Sequence, residues 1–264
     1  MKFIFISVLC FFGFILPQFA QTTEQEIERR IIAVQNQKLK SADVETRRDA
    51  VYQLGLLRNA VASQAAANAL RDSAEIVRAE AARAVVYLAS TDAVQSLLPL
   101  LSDKSEFVRR EAAFALGRTY DKTAVYSLIR VLQTDKTASV RAASAIALGQ
   151  ISDERAIEPL SQVLLAPMTK KNRVIDEFVR RSAAISLGQI RNRKAVPTLI
   201  SALRDKTNTD DVRREAARSL GVIADSSAIQ VLQENLNAED YYLAQIAADA
   251  LEIIRNSNLT NPLF

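Results

Sequence analysis

The 264-residue sequence contains no histidine and no tryptophan, and its single cysteine is Cys10. Each absence excludes chemistry. Without His, and with no Cys beyond residue 10, there is no Ser–His–Asp or Cys–His arrangement, no thiol redox pair and no set of the usual zinc ligands. A chain without a second cysteine forms no internal disulfide, which suits an oxidising compartment without requiring one. Glycine is scarce at six residues, and no glycine-rich phosphate loop is present. Charge of one sign is also missing. The 34 Lys and Arg nearly balance the 30 Asp and Glu, so the net charge of +4 does not describe a protein built to hold phosphates.

The one long apolar run is at the start, where Lys2 precedes Phe3 to Leu16, followed by Pro17, Gln18, Phe19 and Ala20. This pattern predicts a secretory signal peptide over residues 1–20, cleaved after Ala20. The run is shorter than the roughly 20 residues that span a bilayer. No transmembrane segment is expected after cleavage. Export to the periplasm or cell envelope, or secretion, follows as an expectation.

What the sequence has in abundance is itself. "VRREAAFALG" at Val108 returns as "VRAASAIALG" at Val140, "VRRSAAISLG" at Val179 and "VRREAARSLG" at Val212. Aligning the Arg of each unit gives Arg47, Arg78, Arg109, Arg141, Arg180 and Arg213, spaced 31, 31, 32, 39 and 33 residues apart. A degenerate seventh unit, "LAQIAADALE", starts at Leu243. Five glycines, Gly55, Gly117, Gly149, Gly188 and Gly221, all end a unit. Four residues beyond each glycine stands Asn59, Asp121, Asp153, Asn192 or Asp225, an N-cap type that predicts a new helix. That helix has apolar residues at helical spacing, as in Ala156, Ile157, Leu160, Val163 and Leu164. Pro99 lies deep enough in its segment to predict a kink. A short polar turn then leads to the second helix, where Val108, Ala112, Ala113 and Leu116 form one apolar face.

A hairpin of two such helices buries its apolar face only by stacking on its neighbours. The expected fold is all-α, an α-solenoid of about seven helical hairpins over residues 21–255, followed by a tail over 256–264. The stretch "TTEQEIERRIIAVQNQ", with Ile27, Ile31 and Val34 on one face, is predicted to be the first outer helix. The Trp, Tyr and Pro pattern of tetratricopeptide repeats and the "TPLH" of ankyrin repeats are absent. The succession D-x-x-A-I-x-P-L, a polar turn with Asp, then V-R-x-x-A-A-x-A-L-G resembles the HEAT-like repeats, in particular the short variety of phycobilin lyase subunits. The resemblance covers about Thr23 to Arg255.

In that family the turn Asp and the second-helix Arg form a ladder between adjacent repeats. The resemblance therefore implies a structural role for Asp72, Asp103, Asp135 and Asp205 beside Arg78, Arg109, Arg141 and Arg213. Repeat five departs from it, since Pro167 and a basic insertion, Ala166 to Phe178 with Lys170, Lys171 and Arg173, replace the Asp. HEAT-like deoxyhypusine hydroxylases hold iron with His-Glu pairs that this chain cannot supply. The acidic pairs Asp176–Glu177 and Asp210–Asp211 are expected in turns before second helices, where the helix dipole explains them. No catalytic residue, metal site or cofactor is expected.

One feature exceeds what a repeat needs. The outward row of the second helices carries Arg48, Tyr52 and Leu56, then Arg83 and Tyr87, then Arg110, Phe114 and Arg118, then Ile146 and Gln150, then Ile185 and Gln189, and finally Arg214 and Arg218. Tyr, Phe and Arg are the types that dominate protein-binding hot spots. The expectation is an exported, non-catalytic scaffold or adaptor binding a protein or peptide through Tyr52, Arg83, Tyr87, Arg110, Phe114, Arg118, Arg214 and Arg218. The same side chains would alternatively pack between repeats. Two further alternatives stay open, an accessory subunit of an enzyme resembling the phycobilin lyases and, less favoured, a nucleic-acid clamp. Against the clamp, Asp49, Glu111 and Glu215 follow Arg48, Arg110 and Arg214, and no Trp is available for stacking. The sequence leaves the oligomeric state open.

Overall fold

A computed structural model describes residues 12–167 and 173–260, with side chains placed for 23–167 and 177–257. Among the described residues there are fourteen α-helices and no strand. They pair into seven hairpins of an outer and an inner helix. The outer helices are α1 (Phe12–Lys38), α3 (Ala60–Ala67), α5 (Ser90–Leu97), α7 (Val125–Thr134), α9 (Ile157–Leu165), α11 (Val196–Arg204) and α13 (Ile229–Glu234). The inner helices are α2 (Val44–Leu56), α4 (Glu75–Ala84), α6 (Glu106–Arg118), α8 (Ala138–Ile151), α10 (Arg173–Ile190), α12 (Asp210–Ile223) and α14 (Tyr241–Thr260). No helix among the described residues is long and apolar enough to cross a membrane.

The caps form where the Asn and Asp residues stand. Asn59 Oδ1 accepts from the Ala62 amide at 2.9 Å, starting α3. Asp121, Asp153, Asn192 and Asp225 each accept from the amide two residues on, at 2.9–3.0 Å. These four cap a single 3-10 turn that leads into the outer helix. The residue before each of the five caps ends the preceding connection in the left-handed region, and none is glycine: Arg58, Tyr120, Ser152, Arg191 and Ala224, with φ of 50–58°. The unit-ending glycines lie three positions earlier, at ordinary negative φ.

Those glycines serve packing between repeats. A Cβ at Gly117 would lie 2.7 Å from Ala147 Cα, one at Gly149 2.8 Å from Ser186 Cα, and one at Gly221 2.9 Å from Ala250 Cα. Each partner is the eighth residue of the following unit, kept small so that two inner helices touch backbone to backbone. Where that residue is serine the hydroxyl spans the contact. Ser186 Oγ donates to the Ala145 carbonyl and Ser219 Oγ to the Ala184 carbonyl, both at 2.8 Å.

Outer helices stand farther apart. Long side chains bridge them, Arg204 to Glu234 between the helices and Lys194 to Glu154 between the 3-10 turns that lead into them, each at 3.0 Å. Open grooves of about 510 Å³ beside Arg71, Ser96 and Pro99 and about 500 Å³ beside Arg130 and Lys136 separate them. Close contact on one side and spacing on the other bends the stack, placing the inner helices on the concave side. One continuous core runs from Val51 to Ile254. Val108, Ala112, Ala113 and Leu116 are fully buried in it.

Several expectations are corrected. The kink at Pro99 is a switch to 3-10 geometry over Leu98–Ser102, but α3 continues the same way over Asn68–Arg71 without proline, so proline alone does not set it. In α1 and the turn after it the residues facing inward are Glu28, Ile32, Gln35 and Leu39, because Glu28 accepts from Asn59 Nδ2, Gln35 is buried, and Ile32 and Leu39 pack on the core. Ile27 and Val34, expected together on one face of this outer helix, are 58% and 53% exposed. Asp210 and Asp211 occupy the first turn of α12, and Asp176 and Glu177 lie inside α10, so none of them stands in a turn before its helix. The insertion also lengthens α10 to 18 residues, with Arg173 opening the helix, while Lys170 and Lys171 lie outside the described residues. α14 continues to Thr260, five residues beyond the boundary expected at Arg255. Of the expected leader, residues 1–11 lie outside the described residues, and α1 begins at Phe12.

Candidate partner-binding surface

The Arg and Asp residues at the repeat turns form the most regular polar feature. Arg47 binds Asp72 through Nε at 2.7 Å and Nη2 at 2.9 Å. Arg78 grips Asp103 in the same way, at 2.7 and 2.8 Å, and Arg109 grips Asp135 at 2.7 and 3.1 Å. The remaining guanidinium nitrogen of Arg78 donates to the Asp72 and Ser73 carbonyls, and that of Arg109 to the Asp103 and Lys104 carbonyls. Each arginine thereby ties its own turn to the next repeat. Bidentate, charge-assisted pairs of this kind have a fixed geometry that sets the register of the stack.

The carboxylates respond accordingly. Asp72 is held below the usual range by the Arg47 hydrogen bonds. Burial pushes Asp103 and Asp135 upward, but Arg78 with the Ser105 amide, and Arg109 with the Thr137 amide, outweigh it, so both are lowered.

The ladder changes hands in the second half. Arg141 donates to the carbonyl of Asp135 in its own repeat at 2.9 Å. Arg180 turns to Asn208 Oδ1 at 2.8 Å, while Asp205, expected in the ladder, caps its own loop by accepting from Thr207. Arg213 reaches Asn235 Oδ1 at 3.2 Å and the Leu203 carbonyl at 3.1 Å. Asn208 and Asn235 thus occupy places that Asp fills earlier. These side chains are engaged in holding repeats together and leave little to offer a ligand.

The concave row divides into engaged and available residues. Arg83 and Arg110 flank the Phe107 ring, their guanidinium carbons 5.7 and 5.0 Å from its centroid, and both bond to Glu111, at 2.8 and 3.2 Å. Arg214 clasps Asp240 at 2.7 Å, bonds to Asp211 at 3.0 Å and lies over the Tyr242 ring. The Asp240 carboxylate raises the pKa of Arg214 and is itself lowered by it. Arg218 pairs with Glu215 and Arg48 with Glu45, one turn away in their own helices. Phe114 is half-buried and packs partly on the core. The structure therefore brings Arg83 and Arg110 together around one carboxylate, and keeps Arg214 and Arg218 apart from that cluster.

Tyr52, Leu56 and Arg118 are exposed, and Tyr87 beside Arg118 is half-buried. Tyr52 and Leu56 are 49% and 52% exposed. The guanidinium of Arg118 lies over the Tyr87 ring at 5.9 Å and donates to the Tyr87 hydroxyl at 3.3 Å. With Phe114 they form a row of aromatic and aliphatic side chains with a cation at its edge, on α2, the 3-10 turn Val85–Tyr87 that follows α4, and α6. Farther along, Gln150 and Gln189 lay their carboxamides into the notches over Gly117 and Gly149. Sequence reasoning missed the rings that carry the arginines, Phe107, Phe178 under Arg181, and Tyr242. All three immediately precede the first residue of a unit, in every second repeat, a signal present in the alignment. Among the described residues no group of three or more acidic, Cys or His side chains is placed to hold a metal ion.

Comparison with known proteins agrees with this geometry. The family model for HEAT repeats matches residues 35–114, 94–173 and 176–252. No curated protein matches the chain in sequence. Among solved structures, the complex of CpcE and CpcF of phycocyanin lyase from Nostoc sp. PCC7120 is 26% identical, with a TM-score of 0.52 over 88% of this chain and 94% of that one. The Escherichia coli protein YibA shares the fold at 19% identity and a TM-score of 0.53, over 88% and 96% of the two chains. An engineered protein does so at 23% and 0.53, over 85% and 68%. With seven stacked hairpins and a family match across its repeats, the chain belongs to the HEAT-repeat family.

Proposed function

We propose that the protein is an exported, non-catalytic scaffold that binds a protein or peptide along the concave side of its inner helices. The observation that carries this reading is the row of exposed Tyr52, Leu56 and Arg118 with the half-buried Tyr87 and Phe114. Tyr52 and Leu56 are large apolar side chains left about half exposed by the stacking of the repeats. Large apolar and aromatic side chains that lose water on contact, ringed by polar groups, supply affinity in protein interfaces. The apolar run at the N-terminus supports export, to the periplasm or cell envelope or out of the cell.

The similarity to phycocyanin lyase favours one second reading, in which the chain is an accessory subunit of an enzyme. The two readings share the surface and differ in what the bound partner does. Enzymatic turnover by the partner that depends on this chain would favour the second.

The test is crosslinking in the native host, recovery of the bound partner and titration of variants against it. Phe114→Ala and Arg118→Glu should each weaken binding by about 1 to 2 kcal/mol or more, with helical content unchanged. Gln162→Ala and Gln233→Ala, exposed on outer helices α9 and α13, should have little effect. If the outer-helix changes abolish binding and the inner ones are silent, the concave reading is lost. N-terminal sequencing of the same material should begin at Gln21; a retained Met1 would defeat the cleaved-leader part.

A further inference from the structure

A solenoid exposes at each end a face that would otherwise meet another repeat, and stable arrays make those faces polar. The two ends of this protein differ. At the C-terminal end, the residue of α14 that internal repeats bury is Ala248, and it is exposed beside Gln245, Asp249 and Glu252. Glu252 stands where five earlier units place glycine, a side chain in the place of the close backbone approach made at Gly117 and Gly149. This end is polar.

The N-terminal end is different. α1 presents Ile27, Ile31 and Val34 at helical spacing on one side, with Ile27 and Val34 more than half exposed. The next residue of that stripe, Lys38, has its Nζ 3.7 Å from Asp49 of α2. The opposite side of α1, at Asn36 and Lys40, faces the groove toward α3. The stripe therefore lies on the side away from α3, where a preceding repeat would sit. It is an apolar face against which none of the described helices α2 to α14 packs.

Charge along α1 is also polarised. On the stripe's own side, Glu24 stands one turn before Ile27 and Lys38 one turn after Val34. Two copies of α1 laid antiparallel about Ile31 set Glu24 of one against Lys38 of the other twice, whereas a parallel arrangement opposes like charges. An antiparallel pair is what a twofold axis across the helix produces, and such an interface uses the same patch on both subunits. Joining this end to the polar C-terminal end of another copy would leave the stripe against Asp249 and Glu252. We infer that the apolar stripe of α1 is a self-association surface, and that two copies of the chain join end to end through it about a twofold axis.

Sedimentation equilibrium of the protein as its native host makes it tests this. The expected mass is that of two chains. Val34→Lys or Ile27→Lys, at sites already open to solvent, should raise the dimer dissociation constant about tenfold or more with helical content unchanged. In a Cys10→Ser background, Ile31→Cys should give a disulfide-linked pair on mild oxidation, and Ala248→Cys at the other end should not. A single-chain mass at every concentration overturns the inference, whether another protein or the chain's own first residues cover the stripe. So does a pair indifferent to Val34→Lys, or one linked through Ala248→Cys.

Discussion

A glycine inside a helix ordinarily weakens it by about 1 kcal/mol relative to alanine. Here most glycines are required by the neighbouring helix. Gly117→Ala would force Cβ to 2.7 Å from Ala147 Cα, a backbone atom that cannot step aside. It should lower stability by about 1 to 3 kcal/mol, the usual cost of overpacking. At Gly55 the nearest atom to an added Cβ is Ala84 Cβ at 3.4 Å. Gly55→Ala should therefore be neutral or stabilising by up to about 1 kcal/mol. Denaturant midpoints of the two variants decide it, and equal losses would contradict the packing argument.

The ladder carboxylates give stability a direction in pH. Asp72, Asp103 and Asp135 titrate below their ordinary value in the folded chain, and Arg155 brings Asp153 down to about 2. A depressed folded pKa means stability that is complete above the unfolded value, about 3.9, and lost as pH falls through the folded value. The melting temperature should drop steadily from about pH 4 downward, and Asp103→Asn should flatten that drop while lowering the plateau at neutral pH. An unchanged slope in Asp103→Asn would show that the Arg78–Asp103 pair contributes nothing to it.

Within an element, helical phase decides what a substitution does. On α6 Leu116 is fully buried, whereas Arg110, six positions earlier, is half-exposed and shares Glu111 with Arg83. Leu116→Asp places a carboxylate in the core without a partner and should cost several kcal/mol, or abolish folding. Arg110→Ala leaves Glu111 its stronger partner and should cost about 1 kcal/mol or less. Urea titrations of the two should separate widely, and similar midpoints would mean that the phase of α6 is wrongly assigned. The elements also divide their labour. Outer helices other than α1 are short and, except for α5, start from an Asn or Asp cap, while inner helices transmit contact from one repeat to the next.

Across the whole molecule the core is continuous, yet each repeat touches mainly its neighbours. Stability is then close to a sum of repeat terms and interface terms, and cooperativity depends on the interfaces. Weakening a central repeat should uncouple the flanks. Leu148→Ala in α8, which packs against both α6 and α10, should broaden thermal unfolding or split it in two. Leu251→Ala in the terminal helix should lower the midpoint of one transition. Calorimetry distinguishes these shapes, and a single sharp transition for Leu148→Ala would argue for stronger coupling than nearest-neighbour packing provides.

The repeat, its register, the caps at Asn59, Asp121, Asp153, Asn192 and Asp225, and the buried face of α6 were all legible in the sequence. Each follows from local rules, the 3.6-residue period and the hydrogen-bonding reach of a short side chain. The concave row was legible as an arrangement of residue types. Tertiary structure alone decided which of its arginines are available. Arg83, Arg110 and Arg214 are engaged by carboxylates and rings, several of them supplied by a neighbouring repeat about thirty residues away, whereas Arg118 meets Tyr87. It also decided that Asn208 and Asn235 stand in for Asp and that α1 turns Ile27 and Val34 outward. A helix with two apolar stripes gives no local sign of which one a neighbour will cover, because that is settled by the shape of the surface it meets.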